Sequence, residues 1–243
     1  MRNHPAAVIG PPAAIIGLAV WAILWAVGVS PLTAVVPAAV AGLVVALLLW
    51  LGAPQSALAS LGARPLARGE YPRLENLVEG LCTTHGFSPP ALHVVETPAV
   101  NAASAGRRQL AAHLILTRGA LRELDRLELE AVVARQLCEI RRGVAIETVR
   151  ASVARIPVVG ALAVRLAGRA SGRDWASDVD IEAVRLTNYP PALASALSKA
   201  SAVTSLKASG AAGHLWLVAP EGPGLAAGTQ PSMAQRIDVL GEI

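Results

Sequence analysis

The stretch LELEAVVARQLCEI, residues 127–140, is the key to the reading of this chain. Leu129, Val132, Val133, Leu137 and Ile140 recur at intervals of three and four, the repeat of a helix with one face turned to a core. Leu121 and Leu124 continue the pattern upstream, so the spacing predicts a helix over 119–141. Arg135 and Glu139 stand four residues apart on it and can meet as an ion pair. The other reading is two independent solvated charges on an exposed helix, where such a pair is worth only ~0.2–0.5 kcal/mol.

Upstream, the composition changes character. The chain has 243 residues, of which 53% are hydrophobic and only 3% aromatic, so its apolar content is Ala, Val and Leu. With a mean hydropathy of +0.50 this is a membrane-leaning composition. No Asp, Glu, Lys or Arg lies between Arg2 and Arg64. That interval holds two apolar runs, 8–29 and 32–51, each near the ~20 residues that cross ~30 Å of hydrocarbon. Ser30 and Pro31 form the turn between them. The expectation is a transmembrane hairpin within residues 1–55, with Trp21, Trp25 and Trp50 as interfacial anchors and only Trp50 at the end of a run. A cleaved signal peptide fits less well, because a second span follows at once. Arg2 lies at one end and Arg64, Arg68 and Arg73 follow the other, so the positive-inside bias puts both termini in the cytoplasm of a multi-pass plasma (inner) membrane protein.

The net charge of +4 does not make a nucleic-acid binder. The basic residues are scattered, with no aromatic interleaving and no block longer than Arg107–Arg108 or Arg141–Arg142. All but Lys199 and Lys207 of the 21 basic residues are Arg. Cys82 and Cys138 have no close-spaced motif, and in a cytosolic domain they are expected as reduced thiols.

Residues 56–71 read as a juxtamembrane linker and 72–243 as a cytosolic domain. PRLENLVEGLCTTHG, residues 72–86, has a helical apolar stripe and Gly86 as its C-cap. ALHVVE (91–96) and QLAAHLILT (109–117) read as strands, and PAVNAASAGRR between them as a loop or hairpin turn. A helix over about 144–170 carries Arg150, Arg155, Arg165 and Arg169, each costing ~2.5–3.5 kcal/mol at a bilayer centre. It belongs on the cytosolic domain or at the interface. Residues 176–188 and 191–203 make two more helices. The fold class is therefore α+β: a transmembrane hairpin followed by a mainly helical domain with a small β-sheet.

Several stretches together resemble the cytosolic domain of HtpX-like membrane zinc metalloproteases of the M48 type. Residues 72–106 are similar to that family's helix, strand and loop, with Val100-Asn101-Ala102 at its Pro-Asn-Ala position. AAHLILTRGALREL and LELEAVVARQLCEI resemble its buried strand and active-site helix. RDWASDVDIEAVRLTNYPPALASALSKA resembles the segment that supplies the third metal ligand, and HLWLVAP followed by TQPSMAQRIDVL resembles its tail. The resemblance covers about 170 residues and implies a metalloprotease-like domain.

At the positions that carry the chemistry, the residues differ. The first His ligand position is Arg135, the general-base Glu position is Gln136, the second His position is Glu139, and the third ligand position is Ala176. A catalytic zinc takes three protein ligands and an open water position. A guanidinium repels a divalent cation, and a neutral amide has no usable basicity near pH 7. The expectation is a pseudoprotease with no catalytic residues, no cofactor and no metal, in which the Arg135–Glu139 pair takes over the metal's space and charge.

Other chemistry is weaker. Cys138 has no His within helical reach and reads as a small buried apolar residue rather than a nucleophile. His85, His93, His113 and His214 lack paired ligand spacing. Asp174, Asp178, Asp180 and Glu182 lack the Gly and terminal Glu of a Ca²⁺ loop. There is no phosphate-binding loop. The implied work is binding: Asn101 and Ala102 mark a strand edge that could hold an extended partner segment by strand addition, and the Ala- and Gly-rich hairpin can pack against other membrane helices. The expected role is an accessory or regulatory subunit of a membrane complex, a lipid or solute transporter being one candidate. The alternatives are a quality-control adaptor presenting clients to a separate protease, or an active protease with a non-zinc site.

Overall fold

The computed structural model describes residues 5–155, 175–202, 210–219 and 231–243. The chain opens with two long helices, α1 (Ala6–Ala26) and α2 (Pro31–Leu61), both long and apolar enough to cross a membrane. They pack through small residues. A Cβ at Gly17 would lie 3.1 Å from the Ala38 carbonyl oxygen, and one at Gly42 would lie 3.0 Å from that of Ala13. Such close approach of two backbones is what Gly permits. Outward, Leu18, Ile23, Val36, Leu43 and Leu48 are exposed, the surface that lipid would cover. Trp21 and Trp25 stack, and the Trp21 indole nitrogen donates to the Pro31 carbonyl. They therefore sit at the turn of the hairpin, while Trp50 marks its other end.

The second helix does not stop at residue 51. It begins at a Ser30 cap, ends at Gly62 in the left-handed conformation (φ 67°), and its 31 residues span about 46 Å. Its last turns leave the span and pack into the domain, so residues 56–61 are helix rather than linker. Ala57, Leu58 and Leu61 are buried against Val95, Ala103, Ala105, Ile115 and Trp216.

That face belongs to a four-stranded sheet formed by β1 (Arg64–Pro65), β2 (Ala91–Val95), β3 (Ala102–Gly106) and β4 (Ala112–Thr117), in the order β1-β2-β4-β3. The β2 and β4 strands are parallel, and the two outer pairings are antiparallel. Strand β3 lies where the sequence read as a loop or turn. Ala-Ala-Ser-Ala-Gly has no β-branched or aromatic residue, so propensity is silent. Every residue of β3 is buried, and its small side chains allow neighbouring helices to approach closely. Conversely, residues 109–111 form a 3₁₀ turn rather than the start of β4.

The other sheet face carries α3 (Pro72–His85), α4 (Arg118–Glu123), α5 (Arg126–Gly143), α7 (Trp175–Thr187), α8 (Pro190–Ala202) and α9 (Met233–Gly241) around one core. Gly86 caps α3 at φ 67°. Asp125 and Glu128 form a capping box that breaks the expected 119–141 helix into α4 and α5. Glu128 also accepts from Ser195 Oγ (2.7 Å) and Lys199 Nζ (2.5 Å), which ties α8 to the start of α5.

Between hairpin and domain runs α6 (Ala145–Val153), the described part of the expected 144–170 helix; residues 156–170 lie outside the described residues. Its Val149 and Val153 are buried with Val8, Ile9 and Ala53, and Ile146 packs on the same cluster as Leu49 and Trp50. At its far end Arg155 Nη1 donates to Ser60 Oγ (3.3 Å).

Candidate functional site

Arg135 is the centre of a buried polar cluster, and its position follows from the helix it stands on. The apolar stripe of α5 turns Leu129, Val132, Val133 and Leu137 inward, and Arg135, Gln136 and Glu139 are buried with them. A charge placed there must find partners, because an unpaired buried ion costs several kcal/mol.

The charged groups of the cluster come from three helices. Arg135 Nη1 donates to Glu139 Oε2 one turn along α5, and Arg135 Nε donates to Asp180 Oδ1 on α7 at 3.3 Å. Asp180 in turn receives a two-pronged contact from Arg236 on α9: Nε to Oδ2 at 2.7 Å and Nη2 to Oδ1 at 2.9 Å. The remaining Arg236 nitrogen, Nη1, donates to the Leu217 carbonyl at 2.8 Å. Gln136 closes the cluster with its amide nitrogen turned to Glu139 Oε2 (2.9 Å) and Ser104 Oγ (3.3 Å), its oxygen accepting from Arg135 Nη1 (3.2 Å). Two guanidiniums and two carboxylates leave the cluster neutral, and planar forks on carboxylates are the geometry that guanidinium serves best.

The electrostatics agree with this packing. Burial alone would pull Arg135 down, but the Glu139 and Asp180 carboxylates outweigh it and hold its pKa above the ordinary value. For Glu139 burial is the larger influence and pushes its pKa up, against Arg135 and the Ser104 hydroxyl, which favour the charged form.

Ala176 opens α7, buried, one turn before Asp180 on the same helix. Arg135, Gln136 and Glu139 are joined to α7 through Asp180, one turn beyond Ala176. Two members of the cluster were missed in the sequence. Asp180 was weighed only as part of a Ca²⁺ loop, yet it stands four residues after Ala176, on the face of the third ligand position. Arg236 sits in an apolar stripe with Met233, Ile237 and Leu240, and a cation at such a position signals a buried partner.

The donor set does not fit zinc. Both carboxylates are held by guanidiniums, Gln136 is an amide, and Ala176 offers only a methyl group. Among the described residues no three His, Cys, Asp or Glu side chains gather as a metal site.

Asn101 and Ala102 do not line an open groove; both are buried. The outer edge of β3 is covered by the chain's own residues 216–218. Leu217 N donates to the Ala102 carbonyl (2.7 Å), and Ala103 and Trp216 form an antiparallel bridge. Asn101 Nδ2 donates to the Val218 carbonyl (2.7 Å), and its Oδ1 accepts from Val218 N (3.2 Å). Asn101 is therefore a clamp for a strand-like segment of the same chain. Because Arg236 grips the Leu217 carbonyl, the ion cluster and this covered edge are one construction.

Cys138 is buried on α5, with its thiol pushed up to about 12 by burial and by Glu182, against nearby arginines that lower it. Cys82 is buried and free as well.

Two expectations follow. Asp180→Ala leaves the buried Arg236 without a carboxylate and Arg135 with Glu139 alone, and lowers stability by ~3–5 kcal/mol in denaturation of the detergent-solubilised chain. Arg135→Met combined with Glu139→Leu costs less than Arg135→Met alone, which leaves Glu139 unpaired; a loss within ~0.5 kcal/mol for Asp180→Ala would contradict the burial of this cluster. Second, Ellman's reagent at pH 8 labels neither cysteine in the folded protein and both after denaturation. Rapid labelling of the folded chain at Cys138 would show an accessible thiolate.

No family model matches the chain. Curated proteins do. The protease HtpX homolog of Bacteroides fragilis (strain YCH46) is 37% identical over 83 residues, 34% of this chain and 26% of that protein. The homolog of Dictyoglomus thermophilum is 35% identical over 99 residues, 40% of this chain and 33% of its own length. The homolog of Tropheryma whipplei (strain TW08/27) is 28% identical over 226 residues, 77% of this chain and 78% of that protein. In the first two the match spans about a third or less of the relative's length. The chain is thus similar to HtpX homologs, at 28% identity over most of its length, and its two N-terminal helices are long and apolar enough to cross a membrane.

Proposed function

We propose that this HtpX-like protein works by binding rather than by zinc-dependent hydrolysis, as an accessory or regulatory subunit of a larger membrane complex. The observation that carries the reading is Arg135, a buried guanidinium at the first ligand position, held on two sides by Glu139 and Asp180. Zinc hydrolysis needs three ligands, an open position and a base for water. The four positions here offer a guanidinium, an amide, an engaged carboxylate and a methyl group. A divalent cation entering the cluster would meet the charges of Arg135 and Arg236 and compete with both for the carboxylates.

The basic residues flanking the hairpin, Arg2 with Arg64, Arg68 and Arg73, favour a cytoplasmic domain. The outer hairpin face, with Leu18, Ile23, Leu43 and Leu47 exposed, is broad enough to receive another membrane helix as well as lipid. Strand addition at Asn101 and Ala102 is not retained, since residues 216–218 already take that edge.

The test is purification from native membranes in mild detergent, followed by metal analysis, cleavage assays on unfolded casein with added zinc or chelator, and quantitative mass spectrometry of bound proteins. The expected result is far less than one zinc per chain, no cleavage, and one or a few proteins at fixed stoichiometry. One zinc per chain with chelator-sensitive cleavage would overturn the reading. So would chelator-insensitive cleavage abolished by Gln136→Ala or Glu139→Ala, and a spread of substoichiometric clients would identify an adaptor.

A further inference from the structure

The turn between β3 and β4 carries Arg107, Arg108, Gln109 and Leu110, and Leu110 is 85% exposed. A single exposed leucine on a soluble protein is ordinary. This one has a particular place. Gly106, which ends β3, donates its N–H to Thr148 Oγ1 at 2.9 Å. Thr148 lies on the first turns of α6, between Ile146 and Val149, and these pack on the hairpin cluster that contains Val8, Ile9, Leu49, Trp50 and Ala53. Farther along the turn, Gln109 Nε2 donates to the Arg141 carbonyl at 2.9 Å, at the end of α5 where the chain passes into α6. Two independent contacts thus hold the tip beside the start of α6, level with the hairpin end marked by Trp50. From there α6 runs away from the membrane, since its other end reaches Ser56 and Ser60 of α2.

The tip has the chemistry of a membrane surface contact. Arg108 is exposed and Arg107 beside it is half-buried. Adjacent cations beside an outward apolar side chain suit phosphate groups above and acyl chains below. We infer that residues 107–110 form a second membrane contact, with Leu110 at the boundary of headgroups and acyl chains and Arg107 and Arg108 on anionic phospholipid. Because α2 and α6 join hairpin and domain, this tip would fix the tilt of both together relative to the bilayer. The inference rests on the hairpin spanning the membrane, and the test separates the two.

The full chain is reconstituted into vesicles of phosphatidylcholine, with or without phosphatidylglycerol, carrying an environment-sensitive fluorophore on Leu110→Cys, Leu127→Cys or Leu43→Cys. Leu127 is exposed on the first turn of α5, at the opposite end of that helix from Arg141, and Leu43 is exposed in the middle of α2. Spin-labelled lipid and aqueous iodide serve as quenchers. The expected result is a blue-shifted label at Leu110 that is quenched by lipid and shielded from iodide, more strongly with phosphatidylglycerol. Arg107→Gln with Arg108→Gln removes that dependence on anionic lipid. A Leu110 label that behaves like the Leu127 label overturns the inference while lipid quenching at Leu43 leaves the hairpin standing. A Leu110 label shielded from both quenchers means a protein covers the tip, which also overturns it. Absence of lipid quenching at Leu43 would remove the membrane reading itself.

Discussion

A guanidinium buried at the middle of a helix fixes much of this domain. Arg135 cannot lose its proton near neutral pH, so the fold must bring carboxylates to it. Glu139 comes from the same helix at no topological cost, but Asp180 has to arrive on α7, and Asp180 then calls for the second cation, Arg236, from α9. Three helices distant in sequence are brought into one register by the need to neutralise charge. Such clusters add little net stability compared with apolar packing, but they penalise any arrangement that leaves one member alone.

The same cluster reaches the sheet. Arg236 holds the Leu217 carbonyl, and the segment around Leu217 closes the outer edge of β3. An uncovered edge strand offers unpaired N–H and C=O groups to any extended chain. Here the protein satisfies that edge itself, with Asn101 as the clamp.

The hairpin was legible in the sequence because 30 Å of hydrocarbon leaves a long, uncharged signature that no local contact can disguise. The apolar stripes of α3 and α5 and the Gly86 cap were legible for a similar reason: period and capping act within a few residues. What escaped was set by distant contacts. The sequence of β3 has no strand propensity and becomes a strand only through burial beneath α2, α5 and Trp216. The end of α2 was placed ten residues short, because its continuation stops being lipid-facing and becomes core without any break in helical character. At the site, positions 135, 136, 139 and 176 could be picked out by the resemblance, but the partners Asp180 and Arg236 could not be assigned without the fold that joins α7 and α9. An Arg within an apolar stripe was the one local sign.

The most direct test of this account is an experimentally determined structure of the detergent-solubilised chain at a resolution that separates guanidinium from carboxylate, obtained in millimolar zinc. The account predicts that Arg135 stays between Glu139 and Asp180, that Arg236 keeps both Asp180 oxygens, and that no metal density lies within the cluster. A zinc ion held by Glu139 and Asp180 with Arg135 swung out would contradict it and return the site to metal chemistry.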